Sequence, residues 1–142
     1  MDNNILISIK SSQNNFDDIS EVIMPATYKN LGDKHIITYQ EDDLFGEKDT
    51  FTTLTAEPSK VTLTRNGANN STMIFKPGER HMCIYDTPHG AFTLGITSKS
   101  VEVDMDDFVN GRIQADYSID INNQLESVNR FCLTIKENTN NY

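Results

Sequence analysis

Apolar residues in this chain recur at every second position far more often than at helical spacing, which predicts strands from end to end. Between Arg112 and Ile121 the residues Ile113, Ala115, Tyr117, Ile119 and Ile121 face one way, and Arg112, Gln114, Asp116, Ser118 and Asp120 the other. That is the pattern of a strand with one wet and one dry face. The same alternation runs through Ile5, Ile7 and Ile9, through Val61, Leu63 and Arg65, through Phe92, Leu94 and Ile96, and through Phe131, Leu133 and Ile135. Between the runs stand Gly32-Asp33, Pro58-Ser59, Asn66-Gly67, Pro77-Gly78, Pro88-His89-Gly90, Asn110-Gly111 and Asn122-Asn123. These residue types supply a positive φ or a preset negative one to tight turns. Strands joined so closely must run antiparallel.

The expected strands cover residues 3–10, 20–30, 34–40, 48–56, 60–66, 69–76, 79–86, 90–98, 100–105, 111–122 and 124–137. The count is about ten, or eleven if 90–105 divides in two. One layer of sheet cannot hide an apolar face from water by itself, so the meander is expected to close into an all-β, antiparallel, up-and-down barrel. Its expected lining is bulky: Ile7, Phe51, Leu63, Met73, Phe75, Phe92, Leu94, Ile113, Tyr117, Ile119, Phe131 and Leu133, with Ala56, Gly95 and Ala115 leaving room for a modest cavity only if they cluster at one end. One domain is expected over 1–137, followed by a polar tail at 138–142.

Charge narrows the partners. The 21 acidic residues against 12 basic ones give a net charge of −9, which opposes both nucleic acid and an anionic membrane surface. Neither is expected as a partner. The amino-terminal stretch carries Asp2 where a signal peptide carries positive charge, and no run approaches the ~18 apolar residues of a membrane helix, so a cytoplasmic location is expected. Cys83 and Cys132 lie far apart without CxxC spacing and read as free thiols.

The stretch from Val61 to Gly90 holds an Arg-x-Gly turn at Arg65 and Gly67, then Met73, Phe75 and Gly78 in a Met-x-Phe-x-x-Gly pattern. After these come Tyr85, Thr87, Pro88 and Gly90 as Tyr-x-Thr-Pro-x-Gly. In these motifs, and less specifically from about Thr27 to Lys136, the chain resembles the YwiB-like family, a bacterial group of uncharacterised function. His89 stands where that family usually has an aromatic residue. The resemblance implies a calycin (lipocalin-like) barrel of about eight strands, and it implies no activity.

Arg65 is the foremost candidate for binding. Alternation places it on the same face as Val61 and Leu63, inside the barrel, where it could pair with an anionic ligand; at the rim it could instead donate to carbonyls of the adjacent turn. Tyr85, Thr87 and His89, with Pro88 and Gly90, could frame a barrel mouth, or serve only the packing and the turn. His81 and Cys83 share a strand face, but zinc needs three or four ligands, and His35, His89 and Cys132 are not spaced to complete a set. Haem ligation by His35 or His89 is the remoter option. The acidic run Asp104, Asp106 and Asp107 lacks a calcium loop's glycine, with Val109 at the sixth position, and has Ala115 at the twelfth. Glu41, Asp42, Asp43 and Glu47 read as exposed loop. No metal, no cofactor and no catalytic residue is expected, since nucleophile-elbow and phosphate-loop motifs are absent from the sequence. Two readings stay open: a barrel binding a small hydrophobic or anionic ligand, and a filled barrel acting through its surface or as a homodimer.

Overall fold

A computed structural model describes residues 3–41, 50–67, 70–87, 90–105 and 111–138. It contains ten strands: β1 (Asn3–Gln13), β2 (Ser20–Leu31), β3 (Lys34–Glu41), β4 (Thr50–Glu57), β5 (Lys60–Gly67), β6 (Ser71–Phe75), β7 (Arg80–Thr87), β8 (Gly90–Asp104), β9 (Arg112–Ile121) and β10 (Gln124–Asn138). They form one antiparallel sheet in the order β6-β5-β4-β3-β2-β1-β10-β9-β8-β7, so every hairpin partner is also a sequence neighbour except β1 and β10. Several sequence-predicted residues lie outside the described ones: Asp42, Asp43, Glu47, Pro88, His89, Asp106, Asp107, Val109 and Asn110.

The turns follow the local chemistry. Asn122 and Asn123 have φ of 54° and 66°, and they join Ile121 to its direct partner Gln124, the two-residue connection whose twist matches the strands it links. Gly32, at φ 69°, does the same work between Leu31 and Lys34. The expected break inside 90–105 is a bulge instead. Register shifts between Ser98 and Ser100, which moves the inward positions from Ile96 and Ser98 to Val101 and Val103 without interrupting the ladder, and so resembles two strands in the sequence. β10 carries a like shift between Leu125 and Ser127 and runs on through Asn138, where the polar tail was expected to begin.

The sheet wraps until its edge strands meet. Among the described residues β6 and β7 are joined by one bridge, in which Asn70 and Asp86 exchange backbone bonds of 2.8 Å each way. At the other end the Gly78–Glu79 turn is bonded to both backbone groups of Ser98, at 2.9 and 3.1 Å. Between these points the backbone N–H of Thr72 donates to the Cys83 thiol. The result is a nearly closed up-and-down barrel with one lightly bonded seam.

Its interior is apolar over most of its length. Ile5, Ile7, Ile37, Leu54, Ile96, Ile113 and Leu133 are fully buried, as are Ala56 and Ala115, and each large side chain so covered contributes about 1.5–3 kcal/mol. Two expected lining residues are not inside. Phe51 is 53% exposed on the outer wall, because Thr50, Thr52, Leu54 and Ala56 take the inner positions of β4. Phe92, also 53% exposed, is paired with Tyr85 near the start of β8, at the barrel's end. Gly95 leaves no room within either. It lies beneath the Arg80–Asp120 ion pair (2.7 and 3.0 Å), whose atoms a β-carbon would strike.

A row of threonines crosses part of the outer wall. Direct pairing lines up Thr27, Thr38, Thr53, Thr64 and Thr72 across five neighbouring strands, and Thr–Thr neighbours of this kind contribute roughly 0.2–1 kcal/mol each.

Gly95→Val should displace the Arg80–Asp120 pair, whose side-chain ends can swing aside, and lower stability only slightly, read as a small fall in urea midpoint at unchanged slope. Burial pushes the Cys83 thiol up, against the opposing pull of the Thr72 amide and Arg65. Alkylation of Cys83 by iodoacetamide at neutral pH should therefore reach completion only in denaturant, as followed by peptide mapping; rapid labelling of the native protein would mean that the seam stands open.

Candidate functional site

The chemistry of the interior changes towards one end, where β1 and β3 finish, β5 finishes and β2 begins. Here the inner positions turn polar in a row set by register: Tyr39 on β3 is opposite Thr52 on β4, Thr52 is opposite Arg65 on β5, and Arg65 is opposite Ser71 on β6. Tyr39, Thr52 and Ser71 are buried, and Arg65 is half-buried. Each stands on the same alternation as the apolar core beneath it: Ile37, Leu54, Leu63 and Met73. Across the lumen, Tyr117 on β9 is opposite Asn129 on β10, and the Asn129 amide donates to Ser127 Oγ at 2.9 Å.

A cavity of about 530 Å³ opens at this end, with Ile9, Tyr39, Arg65, Tyr117, Asn129 and Phe131 among its lining residues. Arg65 also borders a second groove of about 420 Å³, which runs along the outside of the seam past Asn70, Ser71, Met82, Ile84 and Asp86. The guanidinium therefore stands between the mouth and the seam, with Nη1 at 3.6 Å from Met73 Sδ. Its charge is felt by its neighbours. Burial pushes the Tyr117 phenol up, and Arg65 pulls it back. Phe75 packs against the same tyrosine at 4.7 Å between ring centres.

Among the described residues, two buried hydroxyls have no hydrogen-bond partner, those of Ser71 and Ser98. A buried hydroxyl left unpaired costs about 1–3 kcal/mol, and native interiors seldom keep one without a use. Ser71 lies beside Arg65 in register, whereas Ser98 lies against the Gly78–Glu79 turn, at the far end of β6.

Of the residues singled out from sequence, Arg65 takes the inward place that alternation gave it. Tyr85 is half-buried on the face that carries Cys83, paired with Phe92, and lines neither the mouth nor the seam groove. The backbone of Thr87 pairs with Gly90, and His89 lies outside the described residues. Around Arg65 the described lining of the mouth includes Tyr39, Tyr117 and Asn129. His35 is held by Tyr28, whose hydroxyl is 2.6 Å from Nδ1, and His81 by Glu79 at 3.0 Å. Among the described residues no three His, Cys, Asp or Glu side chains are grouped to hold a metal, and no helix is long and apolar enough to cross a membrane.

Sequence reasoning missed Thr52, Ser71 and Asn129, which look like surface residues in isolation. Their one signal was parity: Thr52 stands two residues from Leu54, Ser71 two from Met73, and Asn129 two from Phe131.

The same architecture occurs in a solved structure, that of the ywiB protein from Bacillus subtilis. The two superpose with a TM-score of 0.83 over 97% of this chain and 94% of that one, at 21% sequence identity. No curated protein matches the chain. The model of a family described as a domain of unknown function, DUF1934, matches residues 5–135, and the chain belongs to that family.

Proposed function

We propose that this barrel takes up a small anionic molecule at its open end, held by the Arg65 guanidinium. The observation that carries the reading is an arginine on an inner strand face, at the wall of a cavity of about 530 Å³ that also holds the Tyr39 and Tyr117 rings. A cation set among aromatic and hydroxyl groups, partly shielded from water, favours a negatively charged partner far more than one on an open surface does. The lumen below is filled by Leu54, Leu63, Ile96, Ile113 and Leu133, so the ligand is small and stays at the mouth. This makes the protein a binding module of calycin type, one domain over 1–137, rather than an enzyme. The free thiols Cys83 and Cys132 suit a reducing, cytoplasmic setting.

A second reading has its own support. Met82 and Ile84 are 57% and 64% exposed beside the lightly bonded seam, and an apolar, underpaired sheet edge suits a protein partner or a second copy of the chain.

Titration of the nitrogen-labelled protein with sodium butyrate and with sodium phosphate tests the first reading. Amide shifts should gather at Tyr39, Arg65, Tyr117 and Asn129. Arg65→Met should weaken binding roughly 10–100-fold, the value of a hydrogen bond to a charged group at ~1.5–3 kcal/mol. Absence of shifts at tens of millimolar of either salt, with a concentration-dependent sedimentation coefficient, would transfer the function to the seam.

A further inference from the structure

The unpartnered hydroxyl of Ser71 lies beside the Arg65 site. Its role in binding rests on the anion reading of the mouth. Ser71 is 7% exposed, its Oγ has no partner, and it lies directly opposite Arg65 on the adjoining strand. Both residues border the seam groove, and Arg65 borders the mouth cavity as well. A hydroxyl donor and a guanidinium fork side by side on adjoining strands are what an oxyanion needs to have more than one oxygen satisfied. The neighbourhood also limits charge. Asp86 borders the same groove and the chain as a whole carries −9, so a singly charged head is retained more readily than a dianion.

We infer that the ligand is a small monocarboxylate whose head group is shared between the Arg65 guanidinium and the Ser71 hydroxyl, with its apolar part against Ile9, Phe131 and the tyrosine rings of the mouth. An acceptor oxygen from the ligand then completes the hydrogen bonding that the fold leaves open at Ser71.

The inference separates binding from folding at one atom. Ser71→Ala removes a buried, unpaired hydroxyl, so the unliganded variant should melt at a higher temperature than the natural protein, while butyrate affinity falls roughly 10–100-fold, the size of one hydrogen bond to a charged group. Ser71→Thr keeps the hydroxyl and should keep most of the affinity. Ser98→Ala removes the other unpaired hydroxyl, remote from Arg65, and should raise the melting temperature with no change in affinity. At pH 7.5 butyrate should bind more tightly than inorganic phosphate. If the natural protein binds butyrate through Arg65 but Ser71→Ala binds it equally well, or melts lower, Ser71 serves the fold and this inference is overturned while the mouth reading stands. Tighter binding of phosphate than of butyrate overturns the carboxylate assignment. If the natural protein and Arg65→Met are alike indifferent to both anions, both readings fall.

Discussion

The pairing of β1 with β10 is the contact on which the rest of the barrel depends. An antiparallel meander of ten strands has two free edges, and left flat it would present them, with one whole apolar face, to water. Joining the first strand to the last, from Ile5 through Gln13 on one side and Asn129 through Asn138 on the other, moves the chain ends to the middle of the sheet and leaves β6 and β7 as the edges. Those two then have only to meet. This contact spans nearly the whole sequence, so closing it costs more chain entropy than closing any of the hairpins.

Much of this was legible because hairpin folds write their register locally. Alternation located the strands, and turn residues such as Gly32-Asp33 and Asn122-Asn123 fixed how neighbours pair. What could not be read was whatever depends on a change of phase or on neighbours distant in sequence. The bulge at Ser98–Ser100 looked like the end of one strand and the start of another. Phe51 was placed inside because an aromatic ring is a stronger apolar signal than Thr50 or Thr52, yet the phase of β4 is set by Leu54 and Ala56, which left the ring in water. The candidate site shows the same division. Arg65 was readable from Val61 and Leu63 on its own strand, whereas Tyr39, Thr52 and Ser71 join it only through pairing across four strands.

The interior trades stability for chemistry along its length. Its lower part follows the rule that buried positions are apolar and close-packed. Its mouth departs from that rule with an arginine, two tyrosines, a threonine and an unpaired serine at positions where leucine or valine would pack more favourably. Departures of this kind from a consistent core are where function is to be sought in an otherwise orderly fold.

The seam has a mechanical consequence. Its two sides are linked covalently at one end, through the Gly78–Glu79 turn, and at the other by the two bonds between Asn70 and Asp86, close to the groove that Arg65 borders. A cylinder slit in this way can gape only like a cuff, hinging at the closed end and spreading at the rim. Parting Asn70 from Asp86 would therefore widen the barrel beside Arg65, its one inward arginine on β5.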